Sequence, residues 1–108
     1  MTSPARTHQQ TLFLAACAAW GLPEPEPEYK FMPSRKWRLD YGWKDAKVGL
    51  EIQGGLFVKG RHCQGAALLK EYEKLNALCC LGWRMLFVTP QDVKSGAAFA
   101  LVKEALQA

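Results

Sequence analysis

The sequence predicts an α/β fold in which a mixed central sheet is flanked by helices. Three observations carry that expectation. Lys36 to Trp43 and Lys47 to Gln53 alternate apolar and polar residues with period two, as half-buried strands do. Gln64 to Leu81 instead carries its apolar residues at helical spacing, with Leu68, Tyr72, Leu75 and Cys79 in one stripe. Met85 to Val88 is a short unbroken apolar run, the pattern of a strand buried on both faces.

Taken in order, Thr7 to Trp20 reads as a first helix, rich in alanine and leucine and stopped by Gly21 and Pro23. Pro23, Pro25 and Pro27 alternate with Glu24, Glu26 and Glu28; prolines at that density forbid helix and favour an extended connector with solvated acidic spacers. Tyr29 to Met32 is expected as a short strand broken at Pro33. The two alternating runs follow, joined by the polar stretch Lys44-Asp45-Ala46 into a hairpin. Gly54-Gly55 ends the second of them, and a loop with Lys59, Gly60, Arg61 and His62 leads to the long helix, which Gly82 caps. After the apolar strand, Gln91 to Leu106 is expected as a last helix behind Pro90. The predicted order is therefore α-β-β-β-α-β-α, in one domain spanning 1–108.

A chain of 108 residues can close one hydrophobic core without staples, and 49% hydrophobic with 22% charged residues excludes a disordered chain. The net charge of +4 permits a nucleic-acid partner without demanding one. Cys17, Cys63, Cys79 and Cys80 contain no CxxC pair, which argues against a zinc knuckle or disulfide framework and for reduced cysteines in a cytoplasmic protein. Leu12 to Trp20 is apolar but too short to span a bilayer, so no membrane partner is expected. It has two readings, the apolar part of a signal peptide or the first helix of the domain. The latter is favoured because the continuation reads as part of the same unit.

The hairpin carries the chemistry. With Trp43 opposite Val48, Tyr41 meets Leu50 and Leu39 meets Ile52, so one face is apolar throughout. The same register sets Gly42 against Gly49, Asp40 against Glu51 and Arg38 against Gln53; a slip of two residues would keep the faces but change these partners. Two carboxylates opposite each other on a sheet repel, and a divalent cation is the commonest reason to keep them. Hard oxygen ligands on a rigid sheet suit Mg²⁺, or Mn²⁺ in its place. The two glycines would leave room for a substrate phosphate. Against this stands a solvated polar face with accidental neighbours. A cation held by Asp40 and Glu51 would lower the pKa of a bound water and neutralise a scissile phosphate. Gln53, two residues on, could orient that water by hydrogen bonds but brings no charge.

The run Arg38-Leu39-Asp40-Tyr41 through Leu50-Glu51-Ile52-Gln53-Gly54-Gly55 resembles the PD-(D/E)XK nuclease superfamily, in which an acidic residue on one core strand precedes Glu-x-Lys on the next. More closely, the chain is similar to small phage and bacterial endonucleases related to the very short patch repair endonuclease. Glu51-Ile52-Gln53-Gly54 is followed by Gly60-Arg61-His62, by Glu71 and Lys74 at i, i+3 spacing, and by Leu81-Gly82-Trp83-Arg84-Met85-Leu86-Phe87-Val88-Thr89-Pro90. The likeness covers about residues 28 to 92.

The resemblance implies a restriction-endonuclease-like core and a Mg²⁺-dependent endonuclease acting on DNA, including branched or mismatched DNA. It makes Asp40, Glu51 and the main-chain carbonyl of Ile52 the metal ligands. Gln53 stands where the superfamily usually has lysine, so Lys74 is the expected source of the missing charge. An ordinary surface ion pair explains Glu71 and Lys74 as well, on a helix face away from the Leu68/Tyr72/Leu75 stripe. His62 would contact the scissile phosphate or act as a general acid. Many relatives add a glutamate from the first helix, where this chain has only His8, Gln9 and Gln10. The alternative is therefore a DNA-binding module that keeps the fold without catalysis.

Arg35, Lys36, Arg38, Lys59, Arg61 and His62 bracket the site and are the expected phosphate contacts. Trp37, Trp43 and Trp83 are expected in the core. A homodimer would suit cutting of both strands of a duplex. The resemblance also implies a bacterial cell, or one infected by phage.

Overall fold

A computed structural model describes residues 5–53 and 64–108. The first helix, α1 (His8–Ala19), opens on a reciprocal cap: Gln10 N donates to Thr7 Oγ1 at 3.0 Å while Thr7 N donates to Gln10 Oε1 at 2.9 Å. It ends at Trp20, and Gly21 turns the chain with φ of 73°. Three antiparallel strands follow: β1 (Glu26–Tyr29), β2 (Leu39–Trp43) and β3 (Val48–Ile52). Helix α2 (Gln64–Cys80) crosses over to β4 (Arg84–Val88), which pairs parallel to β3. The sheet order is β1-β2-β3-β4, and α3 (Pro90–Ser95) and α4 (Ala97–Gln107) complete the order. The protein is thus α/β with a mixed four-stranded sheet.

Both faces of the sheet are covered. On one, Tyr41 and Trp43 of β2, Val48 and Leu50 of β3 and Val88 of β4 pack with Phe13 and Cys17 of α1 and Phe99 and Val102 of α4. Burial pushes the Cys17 thiol up to about 12, with Glu24 adding to the effect, so it packs as a small apolar group. The first helix is thus built into the core. On the other face, Leu39, Leu78 of α2 and Phe31 form a second cluster with Trp37, Trp83 and Met85. Among the described residues no helix is long and apolar enough to cross a membrane.

Several expectations need correcting. The first strand lies three residues earlier than predicted and contains Pro27, which an edge strand tolerates. The final helix is two helices, because Gly96 at φ of 90° ends α3 in the left-handed region before α4 begins. β4 is not buried on both faces: it is an edge strand, and Phe87 is 46% exposed. The predicted stripe of α2 turns only partly to the core: Leu75 packs against the second cluster, but the rest does not. Leu68 and Tyr72 are 47% and 51% exposed, Cys79 is exposed, and Leu78 is the helix's buried residue.

Candidate active site

Of the registers the alternation allows, the hairpin takes the one with Trp43 opposite Val48. Trp43 partners Val48, Gly42 partners Gly49 and Tyr41 partners Leu50, around a turn held by Ala46 N to Trp43 O and Lys47 N to Lys44 O, each at 3.2 Å. One further step would set Asp40 against Glu51. At that step the chain does something the alternation did not foretell. The Asp40 carboxylate accepts the Ile52 main-chain N–H at 2.7 Å, a charge-assisted bond at the end of the β2–β3 ladder. Leu39 and Trp37 then pack in the second cluster while Tyr41 and Trp43 remain in the first, so the apolar face predicted for Trp37 to Trp43 is divided at Asp40.

The glycines have a different role from the one expected. A Cβ on Gly49 would fall 2.6 Å from Met85 Sδ and 2.7 Å from Leu39 Cδ1. One on Gly42 would fall 2.9 Å from Tyr29 Cδ2 and 3.0 Å from Tyr29 Cβ. Both positions are small because the second core cluster fills the space above them, not because a phosphate approaches there.

Glu51 lies one residue before the end of β3, in register with Phe87 of β4. Lys74 reaches it from α2, with Nζ 3.2 Å from Glu51 Oε2. The side chains are only 13% and 12% exposed. Burial raises the Glu51 carboxyl above its ordinary value, and the charges of Asp40 and Glu71 add to that; the Lys74 ammonium opposes it through charge and hydrogen bond. Lys74 therefore faces the sheet, and its partner is Glu51. The helix pair expected between Glu71 and Lys74 is replaced by this contact across elements.

A cleft of about 490 Å³ opens between α2 and the ends of β3 and β4, lined by Glu51, Gln53, Glu71, Leu75, Phe87 and Thr89. Gln53 continues the parallel ladder, its N–H donating to Val88 O at 2.7 Å. The structure thus gathers Asp40, Glu51, Gln53, Glu71 and Lys74 around the end of β3 and the middle of α2. The cleft residue that the sequence did not mark out is Phe87. Its exposure follows from β4 being the sheet edge, which the apolar run Met85 to Val88 did not reveal.

The basic residues are less concentrated. Arg35 lies over the Trp37 ring at 3.7 Å and pairs with Glu73 at 3.2 Å. Arg38 pairs with Glu28 at 3.5 Å, beside a second cavity of about 360 Å³ that Arg6, Gln10 and Glu26 also line. Gln10, on the helix where a further carboxylate would have stood, donates to Glu28 at 3.0 Å. Lys36 is exposed. Lys59, Arg61 and His62 lie outside the described residues. Trp37, Trp43 and Trp83 all belong to the core clusters or pack against them, as expected.

Among the described residues, no three His, Cys, Asp or Glu side chains are gathered closely enough to cage a metal ion. Mg²⁺ needs fewer: one or two carboxylates and its own waters suffice. Asp40 with its remaining oxygen and Glu51 are hard donors of that kind on neighbouring strands. Comparison with protein-family models, with curated proteins and with solved structures gives no match.

Proposed function

We propose that the chain is a metal-dependent DNA endonuclease of the PD-(D/E)XK kind, with Asp40, Glu51 and Lys74 at its centre. One observation carries the reading: a nearly buried lysine from α2 sits 3.2 Å from Glu51, beside the position where Gln53 takes the place of the superfamily's lysine. The element order is compatible with a restriction-endonuclease-like core, a helix and three strands followed by a crossover helix and a parallel fourth strand.

In this reading Asp40 and Glu51 would hold Mg²⁺ or Mn²⁺, with the Ile52 carbonyl next to Glu51 on β3. The cation would supply charge neutralisation at the scissile phosphate and a more acidic bound water. The chain's own residues do the rest. The bond from Ile52 N fixes the Asp40 carboxylate at the strand end. The Lys74 ammonium opposes the burial that raises the Glu51 carboxyl, and it would supply positive charge beside a bound phosphate. Gln53 offers a neutral donor and acceptor at the cleft.

The test is incubation of supercoiled plasmid and a labelled four-way junction with the protein in Mg²⁺ and in Mn²⁺, beside Asp40→Asn and Glu51→Gln. Metal-dependent cutting that both substitutions abolish is the expected result. Intact DNA in every lane, with folded protein that still retards DNA on a gel, would overturn it. That outcome favours the second reading, a DNA-binding module without catalysis, for which the uncharged Gln53 is the specific observation.

A further inference from the structure

We infer that the cleft beside Glu51 is a subsite for an unpaired nucleobase, in which Phe87 supplies the stacking surface and Gln53 the hydrogen bonds. The inference rests on the nuclease reading for its substrate and deepens it, by assigning preference for DNA with an unstacked base next to the cut.

Phe87 is a large aromatic side chain left nearly half exposed on a strand whose neighbours Leu86 and Val88 pack into the core. It is the β4 partner of Glu51 in the ladder, so its ring is held beside the proposed centre by rigid main chain and not by a loop. The cleft of about 490 Å³ lies within the size range of small-ligand pockets. Its lining is divided: Phe87 and Leu75 are apolar, whereas Gln53, Glu71 and Thr89 carry hydrogen-bonding groups. That is the composition a base needs, a face to stack on and an edge to meet.

Charge points the same way. Among the described residues Lys74 is matched by Glu51, and Glu71 is a further carboxylate lining the cleft. A neutral base brings no charge into such a space, and its exocyclic amino group suits a carboxylate. Gln53, whose amide both donates and accepts, has the donor-acceptor pair that a base edge presents. The absence of lysine at position 53 then has a positive reason, since an ammonium could not accept a hydrogen bond from a base.

The test is metal-free binding, in EDTA, to a matched duplex and to the same duplex with one bulged 2-aminopurine, by fluorescence anisotropy and by the 2-aminopurine signal. Tighter binding of the bulged duplex by the wild type is expected, with a changed 2-aminopurine emission. Phe87→Ala should lose that preference by roughly tenfold and Gln53→Ala by less. Equal affinity of the wild type for both duplexes overturns the inference, as does a preference that survives Phe87→Ala. A change in sedimentation mass in Phe87→Ala with DNA preference intact would assign the residue to contact between copies, and overturns it too. A protein that binds the bulge through Phe87 but never cuts with metal loses only the nuclease reading.

Discussion

Glu51 and Lys74 are buried to nearly the same degree, so neither can be removed without stranding the other. Lys74→Met should destabilise the fold by about 3 kcal/mol in urea unfolding, the cost of an uncompensated buried charge. The double substitution Glu51→Gln with Lys74→Met should be neutral or stabilising by about 1 kcal/mol, because a desolvated ion pair seldom outweighs a well-packed neutral one. A double variant as unstable as the single one would mean that the pair itself holds α2 to the sheet. The acidity of Glu51 gives a second expectation. Its folded pKa is raised, chiefly by burial, so its contribution to stability is present below the ordinary carboxylate value and lost as pH rises through the raised one. Cation binding runs the opposite way, since it needs the ionised form. Mn²⁺ affinity followed by electron paramagnetic resonance should fall as pH drops through the raised Glu51 value. In Lys74→Met the fall should move to higher pH, because the ammonium that opposes protonation is gone. At this scale the sequence singled out candidate residues and was silent about their contacts. Asp40, Glu51 and Lys74 could be named from spacing and resemblance. That Asp40 would bond the Ile52 N–H could not, because an aspartate at a strand end has many acceptable acceptor roles.

The elements divide by how local their determinants are. The β2–β3 hairpin was legible to within a two-residue slip, since period-two alternation and a short polar turn leave few pairings that keep the apolar residues together. The glycines in it were legible as features but not as to cause, which lies in Tyr29, Leu39 and Met85 far along the chain. Gly42→Ala should destabilise the protein by about 2 kcal/mol as overpacking, and more than Gly49→Ala does. The obstruction at Gly42 is the Cβ and inner ring of Tyr29, whereas at Gly49 it is the ends of two longer side chains. Equal losses in thermal unfolding would show that the second cluster cannot shift either. Helix α2 was misread for a physical reason. A hydrophobic stripe locates the core face only when that face is apolar, and here it carries Glu71 and Lys74 toward the sheet and the cleft beside Glu51. The prolines around β1 misled in the same manner, because the edge position that tolerates Pro27 is a tertiary fact.

Across the whole molecule the sheet is covered on both faces, and the candidate site sits where the two clusters leave it open, at the ends of β3 and β4. Ligand crevices in α/β sheets favour the carboxyl ends of parallel strands, and β3 and β4 are the parallel pair here. The fold class and the order up to β4 were readable because alternation, helical spacing and glycine stops are local signals. The division of the last helix at Gly96 and the exposure of Phe87 were not, since both depend on which strand forms the edge and what packs behind it. The net charge of +4 is spread over paired arginines as well as exposed lysines, so it supports DNA contact only together with the site. The measurement that bears most directly on that site is single-turnover cutting of supercoiled plasmid in Mg²⁺ by the wild type, by Lys74→Met, and by Lys74→Met combined with Gln53→Lys. Cutting by the wild type, a loss on the order of 100-fold in Lys74→Met, and partial recovery when lysine is returned at position 53 are the expected results. Cutting that is absent from the wild type, or that Lys74→Met leaves unchanged, would contradict the assignment of Lys74 to the centre.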